Sequence, residues 1–137
     1  MHYNIVSFGD AHVSKMIREE VFMKEQGFKN EFDEIDPKAM HIELYEEEPL
    51  GCARIYKKDE HTYIVGRIAI LPQYRGNHYG YEIMSIVEKQ CKLLGADRIE
   101  LSAQVRVSPF YEKMGYKKIG EEYLDEYCPH IRMYKEI

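Results

Sequence analysis

The stretch Ile68-Ala-Ile-Leu-Pro-Gln-Tyr-Arg-Gly-Asn-His-Tyr-Gly80 decides how this chain is read. Its apolar opening continues a strand pattern that starts at Thr62 and stops at Pro72. Beyond Gly80, Ile83, Val87, Cys91 and Leu94 share one helical face, Met84 and Ile86 broaden it, and Gly95 supplies the stop. Arg75 to Gly80 therefore joins a buried strand directly to an amphipathic helix. The first turn of a helix carries N–H groups without intrahelical partners and the positive end of the dipole, a combination that binds anions. Gly76 and Gly80 permit close backbone approach, and Arg75 adds a fixed positive charge. A plain strand-to-helix turn has the same spacing and stands beside the anion-site reading. The lysine and hydroxyl of a nucleotide P-loop are missing, as is Gly-x-Gly-x-x-Gly, which disfavours an NTPase or a dehydrogenase.

Upstream, Tyr3, Ile5, Val6 and Phe8 suggest a first strand, and Asp10 is placed to cap a helix carrying Val13, Ile17, Val21 and Phe22, ended by Gly27. The acidic segment Glu31 to Asp36, closed by Pro37, reads as an exposed loop. Met40 to Tyr45, Leu50 to Tyr56 and Thr62 to Leu71 form hairpin strands, with Gly66 hinting at a bulge in the third. Downstream come a strand at Arg98 to Ala103, a short helix around Pro109 to Met114, and strands at Tyr116 to Ile119 and Ile131 to Tyr134. The order predicts an α/β (α+β) layered fold whose mixed, largely antiparallel central sheet is flanked by helices. No repeat or linker divides it, so residues 1–137 read as a single domain.

Composition narrows the classes. The chain has 137 residues, 45% hydrophobic and 31% charged, which fits a globular core. Nineteen Lys and Arg against 24 Asp and Glu give a net charge of −5, arguing against a nucleic-acid or anionic-membrane binder. Cys52, Cys91 and Cys128 are odd in number and lie far apart, so neither a disulfide framework nor a metal site is expected. No apolar run approaches a membrane span, and no leader pattern opens the chain, so a cytoplasmic location is expected.

The quoted turn resembles that of the GNAT acyltransferases, whose Gln/Arg-x-x-Gly-x-Gly/Ala signature is matched here by Gln73-Tyr-Arg-Gly76-Asn-His78. His78 stands where the family usually has Gly or Ala. A second segment, Gln104-Val-Arg-Val-Ser-Pro-Phe110-Tyr111-Glu-Lys-Met-Gly115-Tyr116, looks like the family's Asn-x-x-Ala-x-x-Phe-Tyr-x-Lys-x-Gly-Phe run, with Gln104 and Val107 departing from it. Arg18-Glu-Glu-Val-Phe-Met-Lys-Glu25-Gln26-Gly27, followed by Asp33, Asp36 and His41, is similar to the bacterial ElaA-type and YjcF-type subgroup.

The resemblance implies the GNAT fold and an N-acetyltransferase. Such an enzyme moves acetyl from acetyl-CoA, a co-substrate needing no metal, to a small-molecule or peptide amine in a ternary complex. A non-catalytic acyl-CoA-binding module is the alternative. Many relatives are dimers, which leaves room for a homodimer. Carried over residue by residue, the CoA-binding set is Ile68, Ala69, Ile70, Gln73, Arg75, Gly76, Asn77, His78, Tyr79, Gly80, Gln104 and Phe110. Ile70 offers its amide to the thioester carbonyl, and Tyr111 is the general acid, because a phenol is protonated at neutral pH. Glu25, Glu34, His41, His130 or a water chain are candidates for the base. Cys128-Pro-His130 also invites a thiol-nucleophile reading, which lacks a third group. If the acidic runs Glu31 to Asp36 and Glu121 to Glu126 border the acceptor cleft, they favour a cationic substrate.

Overall fold

The computed structural model describes every residue from Met1 to Ile137. The strands are β1 (His2–Val6), β2 (Met40–Tyr45), β3 (Pro49–Lys57), β4 (Thr62–Ile70), β5 (Arg98–Gln104), β6 (Lys117–Asp125) and β7 (Cys128–Glu136). They form a 7-stranded sheet in the order β1-β2-β3-β4-β5-β7-β6, antiparallel throughout except between β4 and β5. Helices α1 (His12–Arg18), α2 (Tyr79–Leu93) and α3 (Ser108–Lys113) complete it. Strand alternation sorts side chains to two faces. Ala53, Ile55, Ile99, Leu101, Ile131 and Met133 pack with Ile83, Met84 and Val87 of α2. On the other face Cys52, Ala69 and Leu71 meet Ile17 and Val21.

The first helical region departs from expectation at its start. Asp10 does not cap α1; it is drawn into a 3₁₀ turn in which its N–H bonds the Ser7 carbonyl, and α1 begins after Ala11. Past Arg18 the chain continues as a π-helical stretch, Glu19–Glu25, and Gly27, at φ +80°, reverses it as the sequence suggested. Leu94 is 40% exposed rather than on the core face, because α2 has already ended at Leu93.

The larger correction concerns the acidic segment. Glu31 and Asp36 are buried, because three arginines from distant elements converge on them. Arg18 of α1 bonds Glu31 Oε2 and both Asp36 oxygens at 2.8–3.0 Å. Arg54 of β3 bonds both Asp33 oxygens and Asp36 Oδ1 at 2.7–3.0 Å. Arg67 of β4 donates to the Glu31 carbonyl and Asp33 Oδ2 and lies 2.9 Å from Glu31 Oε2. Charges removed from water persist only when paired and hydrogen-bonded in this way. Arg67 is also where β4 bulges: Cys52 pairs with Ala69 but Arg54 pairs with Gly66, so Ala53 faces an extra residue. The sequence pointed to Gly66, yet the left-handed conformation belongs to Arg67, at φ +50°. Its guanidinium bonds hold it there.

Candidate active site

The turn between β4 and α2 is built to present backbone N–H groups. Gly76 (φ +84°) and His78 (φ +64°) are both left-handed, and the intrahelical ladder opens only with Glu82 N–H to the His78 carbonyl. The amides from Gly76 to Tyr81 donate to no backbone carbonyl. A run of free donors at a helix start is an anion cradle. The Asn77 side chain staples the turn from inside, bonding the carbonyls of Tyr74 and Arg75 at 3.2 and 3.4 Å. His78 is exposed, with its ring 6.0 Å from that of Tyr81. A Cβ on Gly76 would meet no atom within 4 Å, so glycine serves the backbone angle there; one on Gly80 would lie 3.1 Å from the Phe110 ring.

β4 and β5 pair only from Thr62–Ile64 to Arg98–Glu100 and then diverge. The gap opens into a cleft of about 610 Å³, lined among others by Ile68, Ala69, Ile70, Arg75, Gly80, Gln104, Phe110 and Tyr111. Gln73, Gly76, Asn77, His78 and Tyr79 do not line it; they form the turn at its end. Because Leu71 N–H bonds the Leu50 carbonyl, ladder alternation turns the Ile70 N–H away from β3 and toward the gap. The Ile70 carbonyl, on that same side, accepts from Arg75 Nε at 3.0 Å. Tyr111 is 8% exposed, with ring partners Phe110 and Tyr116, and burial holds its phenol well above the usual pKa. The Gln104 amide reaches across the cleft to Gln26 Oε1 at 2.8 Å.

Residues 9–137 match the acetyltransferase (GNAT) domain. The chain belongs to the GNAT acetyltransferase family. YjcF of Bacillus subtilis, an uncharacterized N-acetyltransferase, is 39% identical over 124 residues, 88% of each chain. ElaA of Escherichia coli is 26% identical over 144 residues, spanning 100% of this chain and 94% of its own. The ElaA crystal structure superposes with a TM-score of 0.88 at 25% identity, covering 98% of this chain and 99% of that one. An aminoglycoside 6'-N-acetyltransferase complexed with coenzyme A shares the fold, with a TM-score of 0.76 at 15% identity over 99% and 97% of the two chains.

The candidate bases separate by position in this GNAT chain. Glu25 is held by Arg75, which keeps its carboxyl below the usual carboxylate range, and it does not line the cleft. Glu34 is exposed and away from the cleft. His41 is a core histidine, 1% exposed, with Nε2 on the Asp36 carbonyl, and burial lowers its pKa. His130 alone of the four lines the cleft. Its Nδ1 lies 2.9 Å from the Cys128 carbonyl, so Nδ1 carries the proton in the neutral ring and Nε2 keeps its lone pair. The Cys128 thiol shows no contact with that imidazole; burial raises its pKa, so no thiolate nucleophile is assembled. Glu31, which also lines the cleft, enters the sequence reading only as one end of an acidic run, expected to be exposed and tied to the acceptor only if that run borders the cleft. The one signal was that Phe32 and Ile35 interrupt the acidic run, an apolar spacing that a solvated loop does not need.

Proposed function

We propose that residues 1–137 act as one N-acetyltransferase domain moving acetyl from acetyl-CoA to an amine bound in the same complex. The observation that carries this reading is one cleft that runs from Arg75 and Gly80, which bracket the free-amide turn, along the β4–β5 gap past Ile70, Tyr111 and His130. The amides from Gly76 to Tyr81 hold the pyrophosphate, and the Ile68–Ile70 backbone lines the pantetheine arm. Phe110 packs on Gly80 and closes the floor between them.

The residues divide the chemistry. The Ile70 N–H donates to the thioester oxygen as negative charge develops there. His130 Nε2 takes a proton from the acceptor nitrogen, whose lone pair forms the new C–N bond. As the C–S bond breaks, the Tyr111 hydroxyl gives its proton to the departing sulfur. Burial keeps that phenol protonated until the thiolate forms beside it. His78 is compatible with this role, because its left-handed backbone presents an N–H as the family's glycine would.

Calorimetric titration with CoA and acetyl-CoA, followed by thiol release across an amine panel, tests the proposal. Binding of acetyl-CoA and amine-dependent thiol release are expected. Binding without release for any amine would support the non-catalytic module, and no binding would remove both readings.

A further inference from the structure

We propose that Glu31 is the acceptor-recognition residue of this site: its free carboxylate oxygen receives the ammonium group of a primary alkylamine. The inference rests on the acetyltransferase reading and adds the acceptor class, a cationic amine on an apolar stem. Glu31 is 5% exposed, yet it lines the cleft. Its Oε2 is taken by Arg18 and Arg67 at 2.8 and 2.9 Å, and its main-chain carbonyl by the same two guanidiniums. Oε1 accepts no hydrogen bond, and the buried polar atoms left without a partner are His41 Nδ1 and Arg54 Nε, not Glu31 Oε1. Oε1 is therefore an unpaired carboxylate oxygen that stays open on a side chain otherwise sealed in protein.

The ion pairs around Glu31 engage Oε2 and leave Oε1 without a partner of its own. Arg18, Arg54 and Arg67 are matched by Asp33, Asp36 and Glu31, so none of these three guanidiniums is left over for an anionic ligand; Arg106, which lines the same cleft, is exposed and lies outside this cluster. At Glu31 burial outweighs the arginines and raises its pKa, in keeping with an oxygen that lacks a partner. An ammonium on Oε1 supplies the missing compensation through a charge-assisted hydrogen bond. It gives one proton to His130 Nε2 to free the attacking lone pair. Its second proton passes, once the C–N bond has formed, to the Tyr111 oxygen that has protonated the leaving sulfur. Asp125 and Glu126 line the same cleft; both Glu126 oxygens are occupied by the amides of Lys29 and Asn30. Phe22 and Phe28 line it too, edge to face at 6.5 Å, and give an alkyl stem an apolar wall.

The test compares n-butylamine, cationic at pH 7.5, with butanoic hydrazide, a neutral nucleophile of similar length. In Glu31→Gln the KM for n-butylamine should rise roughly tenfold or more, the scale of one charge-assisted hydrogen bond, while the hydrazide KM stays within about twofold. Asp33→Asn is the control, because Asp33 braces Arg54 and Arg67 of the same cluster without lining the cleft; it should leave the ratio of the two KM values unchanged. Equal losses for both acceptors in Glu31→Gln, or the same selectivity change in Asp33→Asn, would overturn the ammonium role. Titration of wild type with n-butylammonium chloride and n-butanol gives a second measurement independent of any variant. The cation should bind at least about tenfold more tightly, and equal affinity overturns the proposal. A wild type that takes up acetyl-CoA but uses the hydrazide as well as the amine sinks this inference alone. Failure to take up acetyl-CoA sinks the acetyltransferase reading, and the titration then still decides the ammonium site.

Discussion

Arg75 grips Glu25 with both terminal nitrogens, Nη1 to Oε2 at 2.6 Å and Nη2 to Oε1 at 2.8 Å, while its Nε bonds the Ile70 carbonyl at 3.0 Å. One side chain thus ties the end of β4, the start of the anion turn and the end of the π-helical stretch together. The guanidinium acts as a brace, and the amides of the turn remain free. These segments are tied together before any ligand arrives, which lowers the ordering cost of binding.

Glu25→Gln separates the brace from the catalytic base that the sequence also allowed. The pair is more than a third exposed on both sides, so its worth is bounded at about 0.2–1 kcal/mol. CoA affinity should fall by less than about fivefold, and kcat should hold. A collapse of kcat with CoA binding intact would return Glu25 to the chemistry.

His78→Gly should stabilise the protein. A left-handed conformation costs an L-residue roughly 1–2 kcal/mol, partly offset by the roughly 0.5–1 kcal/mol of extra chain entropy that glycine loses on folding. A gain near 0.5–1 kcal/mol is expected from urea unfolding, with CoA affinity unchanged, because the turn offers its backbone N–H groups. Marked loss of CoA affinity would show that the imidazole makes a ligand contact of its own.

The parts of the structure legible in the sequence are those encoded locally. The strand-turn-helix at Thr62 to Leu93 and the short Phe110-Tyr111 helix follow from periodicity and punctuation over neighbouring residues. The Glu31–Asp36 cluster does not, since its partners Arg18, Arg54 and Arg67 lie 13 to 36 residues away in sequence. A string of carboxylates reads as solvated unless the arginines that meet it are known. β6 was expected to end at Ile119 but runs to Asp125, with every residue exposed. An edge strand with no buried face has no apolar alternation to find. His130 could be named as a base candidate from sequence, but only the Cys128 carbonyl fixes which nitrogen is free.

The buried charge cluster also sets how the protein responds to acid. His41 has a folded pKa lowered by burial, so it contributes stability above about pH 6.5 that is lost as pH falls through the folded value. Asp36 is held far below the ordinary range by Arg18, the Asp33 amide and Arg54, against the opposing effect of burial. Its contribution is full above about pH 4 and disappears below it. Glu31 has a raised pKa and acts in the opposite sense, relieved rather than strained by protonation. Thermal melts should therefore decline gently below about pH 6.5 and steeply below about pH 4. Asp36→Asn should remove much of the steep limb while costing about 3–5 kcal/mol at neutral pH, since Arg18 and Arg54 lose a buried partner. An unaltered acid limb in that variant would refute the assignment.

Tyr111→Phe isolates the proton donor. The ring sits 5.0 Å from Phe110 and 6.0 Å from Tyr116, and phenylalanine preserves both contacts, so fold and acetyl-CoA affinity should change by less than about twofold. No protein group bonds the hydroxyl, and burial alone raises its pKa, so removing it strands no partner. The phenolate left behind by proton transfer would be costly in this apolar setting, which limits how much the donor can contribute. A kcat loss of roughly a hundredfold is expected, the lower end of general acid–base contributions. Parallel measurement of acetyl-CoA affinity and single-turnover rate with one active amine decides it. Unchanged kcat would make Tyr111 a packing residue, and lost affinity with kcat preserved would make it a binding one.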